Sequence, residues 1–350
     1  MVKKPTIFII AEAGVNHNGS LSIAKALVDQ AANAGSNAIK FQSFDAQLLV
    51  SKSAKSADYQ KRATGIENQY QMLKSLELSV SDTQEIAEYC LQVGVEFISS
   101  PFDLDSALNL VKLGVKRLKI ASGEITNLPF LSCLAQLGKP LILSTGMSTM
   151  DEVLKAVGVI KDGWDEVEDM DLHRDLSLLH CTSNYPAQFA DVNLRAMGTI
   201  ATKTGLTVGY SDHTIGSCVS VAAVALGARI IEKHITIDPS LRGPDHQASM
   251  GPDEFCSFVA QIRNVETALG SDEKQPAESE YEIRDVARRS ICAARNLAAG
   301  TVIEPHDLIS LRPGIGIAPE NLPLLVGRVL CNHVSSGSII RWSDVHIGEA

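Results

Sequence analysis

The stretch IIEKHITID, residues 230–238, sets Glu232, Lys233 and His234 inside an otherwise β-branched run. Charge buried in a strand is costly unless it is paired or bound to something. Residues two apart share a strand face. Glu232 and His234 therefore point together, and Lys233 points away, where it can neutralise local charge. The run GYSDHT puts Ser211 and His213 on one face in the same manner. If these runs are neighbouring strands, about 4.8 Å apart, the two imidazoles converge. Two histidines with carboxylate and water oxygens suit Mn²⁺ or another first-row ion better than Ca²⁺. Mg²⁺ and Co²⁺ are further candidates. The plain alternative is a pair of core histidines bonded to backbone.

Two lysines close apolar runs, Lys40 in NAIKFQ and Lys119 in RLKIASGE. A lysine in such a place calls for an anionic partner. That partner is either internal, Glu12 or Glu124, or a phosphorylated or carboxylated substrate. The hydroxyls of Ser99, Ser122, Ser144 and Ser211 would help to hold such a substrate. The short turns STGM and ASGE can present backbone N–H groups to phosphate. Glu12, Glu124, Glu232 and Asp245 are more carboxylates than an anion site needs. Some of them would meet sugar hydroxyls or move protons. Asp245 stands in RGPDHQASM, a Gly/Pro-shaped loop that a solvated turn would explain equally well. NHNG, residues 16–19, reads as the turn opening the first helix.

Nearly all of these groups fall at the ends of β-branched runs. Strands are predicted over 6–12, 37–42, 96–100, 117–121, 140–145, 176–181, 207–210 and 228–234. Amphipathic stretches separate them, many opening on Ser, Thr or Asp in N-cap position. Eight strand–helix units predict a (β/α)₈ TIM barrel, whose chemistry collects at the C-terminal strand ends. No Gly-x-Gly-x-x-Gly turn follows the first strand, so a doubly wound nucleotide fold gains no support. The long connection 43–79 would cover the ligand face. The expected organisation is a barrel over 1–270, a polar linker over 271–286, and a small, loop-rich, mainly β domain over 287–350.

Composition narrows the partners. The chain has 350 residues and a formal net charge of −10. Nucleic acid and anionic membranes are thereby disfavoured, and an anion site must be built locally from a few cations. No apolar run has transmembrane length. The opening MVKKPTIFIIAEAG reads as a first strand rather than a signal peptide. The seven cysteines include no Cys-x-x-Cys pair, which argues against disulfides or structural zinc and for a reducing cytoplasm.

IAEAGVNHNGS, KFQSF, SSPFD, KIASGEITNLP, ILSTGMST, LHCTSNYPA, GYSDHT, EKHITID, GPDHQASM and LRPGIGI together resemble the sialic acid synthases, over nearly the whole chain. That family includes the synthases of bacterial legionaminic and pseudaminic acids. The resemblance implies a phosphoenolpyruvate-dependent barrel fused to a small antifreeze-like (SAF) domain, in a homodimer whose C-terminal domain caps the partner's barrel. It implies His213 and His234 as metal ligands. It implies a phosphoenolpyruvate pocket of Lys40, Ser99 or Ser100, Lys119, Ser122, Ser144, Ser183 and Ser211. Gln42, Tyr185, Asp245 and Arg312, with Glu12, would meet the sugar. Glu124 would be the acid–base residue, with Glu12 and Glu232 also in the catalytic set. After HCT this chain reads SNYPA, which leaves Ser183 and Asn184 as alternatives for the phosphate-side role.

The implied reaction condenses phosphoenolpyruvate with N-acetylmannosamine and water to give N-acetylneuraminate and phosphate. The first alternative is 2,4-diacetamido-2,4,6-trideoxymannose as the sugar, giving N,N'-diacetyllegionaminate. The segment KSADYQKRATG in the long connection would contribute sugar contacts in either case. Synthases of keto-octulosonate or arabino-heptulosonate phosphates lack the small C-terminal domain. A non-catalytic carbohydrate-binding or interaction role does not need polar groups at every strand end.

Overall fold

The computed structural model describes residues 7–167 and 175–346. Thr6, read as the start of the first strand, and positions 347–350 of the C-terminal domain lie outside the described residues. The chain divides into two compact units, Met1–Gly270 and Ser271–Ala350.

The first unit holds β1 (Phe8–Gly14), β2 (Ala38–Ser43), β3 (Glu96–Pro101), β4 (Leu118–Ile120), β5 (Leu141–Ser144), β6 (Leu176–Cys181), β7 (Thr207–Asp212) and β8 (Ile230–His234). They pair in parallel in the order β3-β2-β1-β8-β7-β6-β5-β4. The two ends of that order, β3 and β4, lie against each other. The strands thus form a near-closed (β/α)₈ barrel.

The helices start where local chemistry favours it. The Ser20 hydroxyl caps the helix Leu21–Asn33 by accepting from the Ile23 N–H. Ser79 with Asp82, and Thr149 with Glu152, form reciprocal capping boxes on Val80–Val93 and Met150–Asp165. The apolar faces of these helices join the outward-facing strand residues, such as Ile9, Ile39 and Leu143, in the main core.

The inward parity matters most for the site. Low in the barrel, Ile10, Ala38, Ile98, Ile142, Leu179 and Ile230 form a second apolar cluster with Phe8 against it. A β-carbon on Gly209 would lie 2.3 Å from the Ile230 carbonyl, so that layer admits no side chain on β7. The Arg117 guanidinium stacks 4.6 Å from the Phe8 ring centre and pairs with Glu96 at 2.7 Å. Two residues further along six of the strands the same face turns polar: Glu12, Lys40, Ser100, Ser144, Ser211 and Glu232.

In the second unit, β9 (Ser290–Ala293) pairs antiparallel with β10 (Leu308–Leu311). Ile291, Leu297, Ile303, Ile317, Leu330 and Ile340 are among the residues of its own core. The segment expected to be a linker contains a helix, Tyr281–Ala287, which belongs to this unit. Its Ile283 and Val286 are exposed, so the helix lacks the buried stripe by which a sequence pattern would reveal it.

Candidate active site

The polar layer opens into a cavity of about 370 Å³ at the C-terminal strand ends. Register assembles its floor. Glu12 pairs with Lys40 across β1 and β2, and with His234 across β1 and β8. Ser211 pairs with Glu232 across β7 and β8.

Lys40 Nζ lies 2.9 Å from Glu12 Oε2 and 3.5 Å from Glu232 Oε1. It also donates to Ser100 Oγ at 3.3 Å. Lys119 Nζ donates to Ser144 Oγ at 2.6 Å and lies 3.9 Å from Glu232 Oε2. Ser211 donates to Glu232 Oε1 at 3.0 Å, whereas Glu232 Oε2 is buried without a hydrogen-bond donor.

Burial pushes the Glu12 carboxyl up to about 7, against the pull of Lys40 and with Glu232 adding to the rise. Burial also opposes the charge on Glu232, yet Lys119 and Lys40 hold it below the usual carboxylate range. Lys40 is raised, because Glu12 and Glu232 outweigh its burial. Lys119 is lowered by burial, which Glu232 only partly offsets. Two buried lysines thus face a Glu232 held in its charged form and a Glu12 that burial pushes towards its neutral form, a balance that suits an anion.

Hydroxyls and an amide extend this end of the cavity. Gly146 N–H donates to Ser122 Oγ at 3.0 Å, and Ser122 Oγ lies 3.1 Å from Cys181 Sγ. A β-carbon on Gly146 would stand 2.3 Å from Ser183 Oγ and 2.9 Å from Ser122 Oγ. Only glycine leaves room for these groups to meet. Ser183 lines the cavity. Its neighbour Asn184 instead uses its Oδ1 to accept from the Tyr185 N–H at 3.1 Å.

The opposite wall is the histidine pair. The His213 and His234 ring centres are 5.4 Å apart, and the Tyr185 ring lies 4.2 Å and 5.5 Å from them. His213 Nδ1 bonds to the Thr182 carbonyl at 2.7 Å. A carbonyl can only accept, so Nδ1 carries the proton and Nε2 the lone pair. His234 Nδ1 is buried and has no partner. Burial lowers the proton affinity of both rings, that of His234 strongly. Ser211 Oγ lies 3.5 Å from His213 Nε2, and two neutral imidazoles at this spacing fit a divalent first-row ion. Among the described residues no three His, Cys, Asp or Glu side chains gather for a metal. The two histidines would therefore share it with water and substrate oxygens.

Gln42 lines the cavity beside this wall. Asp245 is buried behind it. Asp245 Oδ2, Gln42 Nε2 and Glu12 Oε1 lie 3.6, 3.6 and 3.2 Å from where a β-carbon on Gly14 would stand. Gly14 has φ +53°, which only glycine adopts cheaply, and so leaves space at this junction. Burial pushes Asp245 up to about 6 against the pull of Lys40.

Two expected residues of the barrel stand elsewhere. Ser99 has the wrong parity: it faces the helix layer, where its Oγ lies 2.7 Å from Ser43 Oγ, and Ser100 takes the cavity position. Glu124 sits on the turn Ser122–Glu124 and accepts from Asn127 at 2.8 Å, and it is not among the lining residues. Arg312 follows β10 in the second unit, where it is exposed. Lys233 faces outward and pairs with buried Asp212 at 3.1 Å. The cavity also includes Gln60, Gln69 and Cys181. Cys181 could have been found by parity with Leu179. The two glutamines lie in the long connection after β2, where no periodic signal marks them.

A profile of the NeuB family matches residues 27–274, and one of the SAF domain matches residues 288–346. The N,N'-diacetyllegionaminic acid synthase of Legionella pneumophila is 50% identical over 97% of this chain and 95% of its own length. The human N-acetylneuraminate-9-phosphate synthase is 34% identical over 92% of this chain and 88% of its own. A crystal structure of the N-acetylneuraminic acid (sialic acid) synthetase of Leptospira borgpetersenii matches with a TM-score of 0.69 at 34% identity, covering 79% of this chain and 90% of that one. With a family profile over most of the barrel and a relative at 50% identity along nearly its whole length, the chain belongs to the NeuB family.

Proposed function

We propose that the protein condenses phosphoenolpyruvate with 2,4-diacetamido-2,4,6-trideoxymannose and water, giving N,N'-diacetyllegionaminate and phosphate. The observation that carries the phosphoenolpyruvate half is the buried pair Lys40 and Lys119 with its ring of hydroxyls. The likeness to the Legionella synthase, at 50% identity against 34% for the human enzyme, favours this sugar over N-acetylmannosamine.

In this reading Lys40, Lys119, Ser144, Ser183 and the Gly146 turn hold the anionic groups of phosphoenolpyruvate. Its C3 bonds to the aldehyde carbon of the open-chain sugar, and water adds at C2. The C–O bond then breaks to release phosphate. Gln42, Tyr185 and Asp245 orient the sugar. A divalent ion held by His213 and His234, with Mn²⁺ the first candidate, would supply Lewis-acid polarisation of the aldehyde. Glu12 handles the proton: it lines the cavity and its proton affinity lies near neutrality, where acid–base groups work best. The proposal includes a homodimer in which Arg312 reaches the partner's barrel, supported by the exposure of Arg312. A cytoplasmic setting is supported by seven free thiols. No helix among the described residues is long and apolar enough to cross a membrane.

The test is product mass spectrometry with phosphoenolpyruvate, Mn²⁺ and each sugar. The diacetamido sugar should give the higher kcat/KM. Preference for N-acetylmannosamine would return the N-acetylneuraminate reading, and release of phosphate with neither sugar would overturn both.

A further inference from the structure

Asn16 is fully buried at the start of the β1-to-helix connection. Its Nδ2 donates to the Ile235 carbonyl at 2.8 Å and to Ser249 Oγ at 2.8 Å. Ser249 Oγ passes its own proton to the Asp245 carbonyl at 2.6 Å. The orientation of the amide is forced, because the Ile235 carbonyl can only accept. One side chain therefore ties two parts of the site. Ile235 directly follows His234 at the tip of β8. Asp245 belongs to the loop that returns to β8 at Met250, whose N–H bonds to the His234 carbonyl at 2.9 Å.

The same turn grips that loop a second time. His246 Nδ1 lies 2.7 Å from Thr236 Oγ1, and its Nε2 lies 3.2 Å from Asn18 Oδ1. Asn18 Nδ2 donates to the Arg242 carbonyl at 3.0 Å. NHNG is therefore more than a helix-opening turn: it clamps the loop that carries Asp245.

We propose that Asn16 is a positioning residue for the sugar half of the site, fixing the Asp245 loop against the His234 tip of β8. The inference rests on the proposed function for the identity of the substrates, but not for the clamp itself. The anion end hangs on β2, β4 and β5, which Asn16 does not touch. Its loss should thus act on one substrate and spare the other. A residue that merely stabilised the fold would lower the active fraction and leave both KM values alone.

Three variants and three readouts test it. Asn16→Ala should raise KM for the sugar about tenfold, the scale of a lost buried hydrogen bond, with KM for phosphoenolpyruvate within about twofold. It should also weaken Mn²⁺ binding to the substrate-free protein, because the His234 tip is released. Ser249→Ala cuts only the arm to Asp245, so it should raise the sugar KM and leave Mn²⁺ binding unchanged. Asn16→Asp keeps size but cannot donate, and should resemble Asn16→Ala. Amide hydrogen exchange on the ligand-free protein gives the readout that needs no substrate. Peptides covering 243–250 should exchange faster in Asn16→Ala, and those covering 117–121 at the wild-type rate. If the wild type consumes neither sugar, the functional reading fails while the exchange result still decides the clamp. Unchanged exchange over 243–250, or equal rises in both KM values, overturns the proposal.

Discussion

Glu12 and Lys40 face each other in register across β1 and β2, their charged atoms 2.9 Å apart and almost wholly shielded from water. Lys40 also leans towards Glu232 at 3.5 Å. One ammonium thus separates two buried carboxylates, while Lys119 is less closely held at 3.9 Å.

The two lysines should therefore respond differently to removal. Lys40→Met leaves Glu12 without its main counter-charge and takes one of two from Glu232, and breaking such a buried pair costs about 3–5 kcal/mol of stability. Lys119→Met takes the other from Glu232 but leaves the Glu12 pair whole, so it should cost less stability, and it should raise KM for phosphoenolpyruvate at least about tenfold, since a charge-assisted contact is worth roughly 1.5–3 kcal/mol. Thermal melts and steady-state kinetics on both variants check this. Equal KM increases for both substrates in Lys119→Met would point to a structural lysine.

Glu12 has a pH signature. Its carboxyl titrates at about 7 in the folded chain against an ordinary 4.5. Between those values the folded state holds the extra proton, so stability falls as pH rises from 4.5 to about 7 and is level beyond. Glu12→Gln should reduce that slope, leaving the share that comes from Asp245, which titrates at about 6. Melting temperatures taken across the range measure it. Turnover in Glu12→Gln should drop by about a hundredfold or more. A greater loss in Glu124→Gln than in Glu12→Gln would move the proton work back to Glu124.

Chelation should abolish turnover, and Mn²⁺ should restore it. His213→Ala and His234→Ala should each lose Mn²⁺ binding by calorimetry while melting as cooperatively as the wild type. Normal turnover by fully chelated enzyme would show that the two rings serve something other than a metal.

Arg312 should act on a partner chain. Arg312→Ala and His234→Ala are each expected to be inactive alone. After chain exchange, a mixed dimer joins a barrel with its histidines intact to a C-terminal domain with its arginine intact. Activity should then reappear. Continued inactivity with exchange verified by mass spectrometry means that Arg312 does not work in trans.

Much of the site was legible because barrel strands have a strict two-residue period. That period alone puts Ser211 with His213, and Glu232 with His234, on one face. Ser99 and Ser100 are adjacent and chemically alike, and only the parity with Ile98 separates them. Glu124 lies just past β4, where the period ends and a 3₁₀ turn decides direction. Gln60 and Gln69 sit in short helices of the long connection, whose path depends on tertiary packing. Asn16 was misjudged for a similar reason: its partners lie 219 and 233 residues away, and local sequence reports only local turns. The helix Tyr281–Ala287 was hidden because its apolar residues are not buried within its own unit.

The apolar layer low in the barrel turns the cavity into a blind well. Ile10, Ile98, Ile142 and Ile230 close the bottom, and the Phe8–Arg117 stack lies among the same low-barrel residues. Traffic can use only the mouth at the strand tips. In the proposed function both substrates would enter, and both products would leave, by that one mouth.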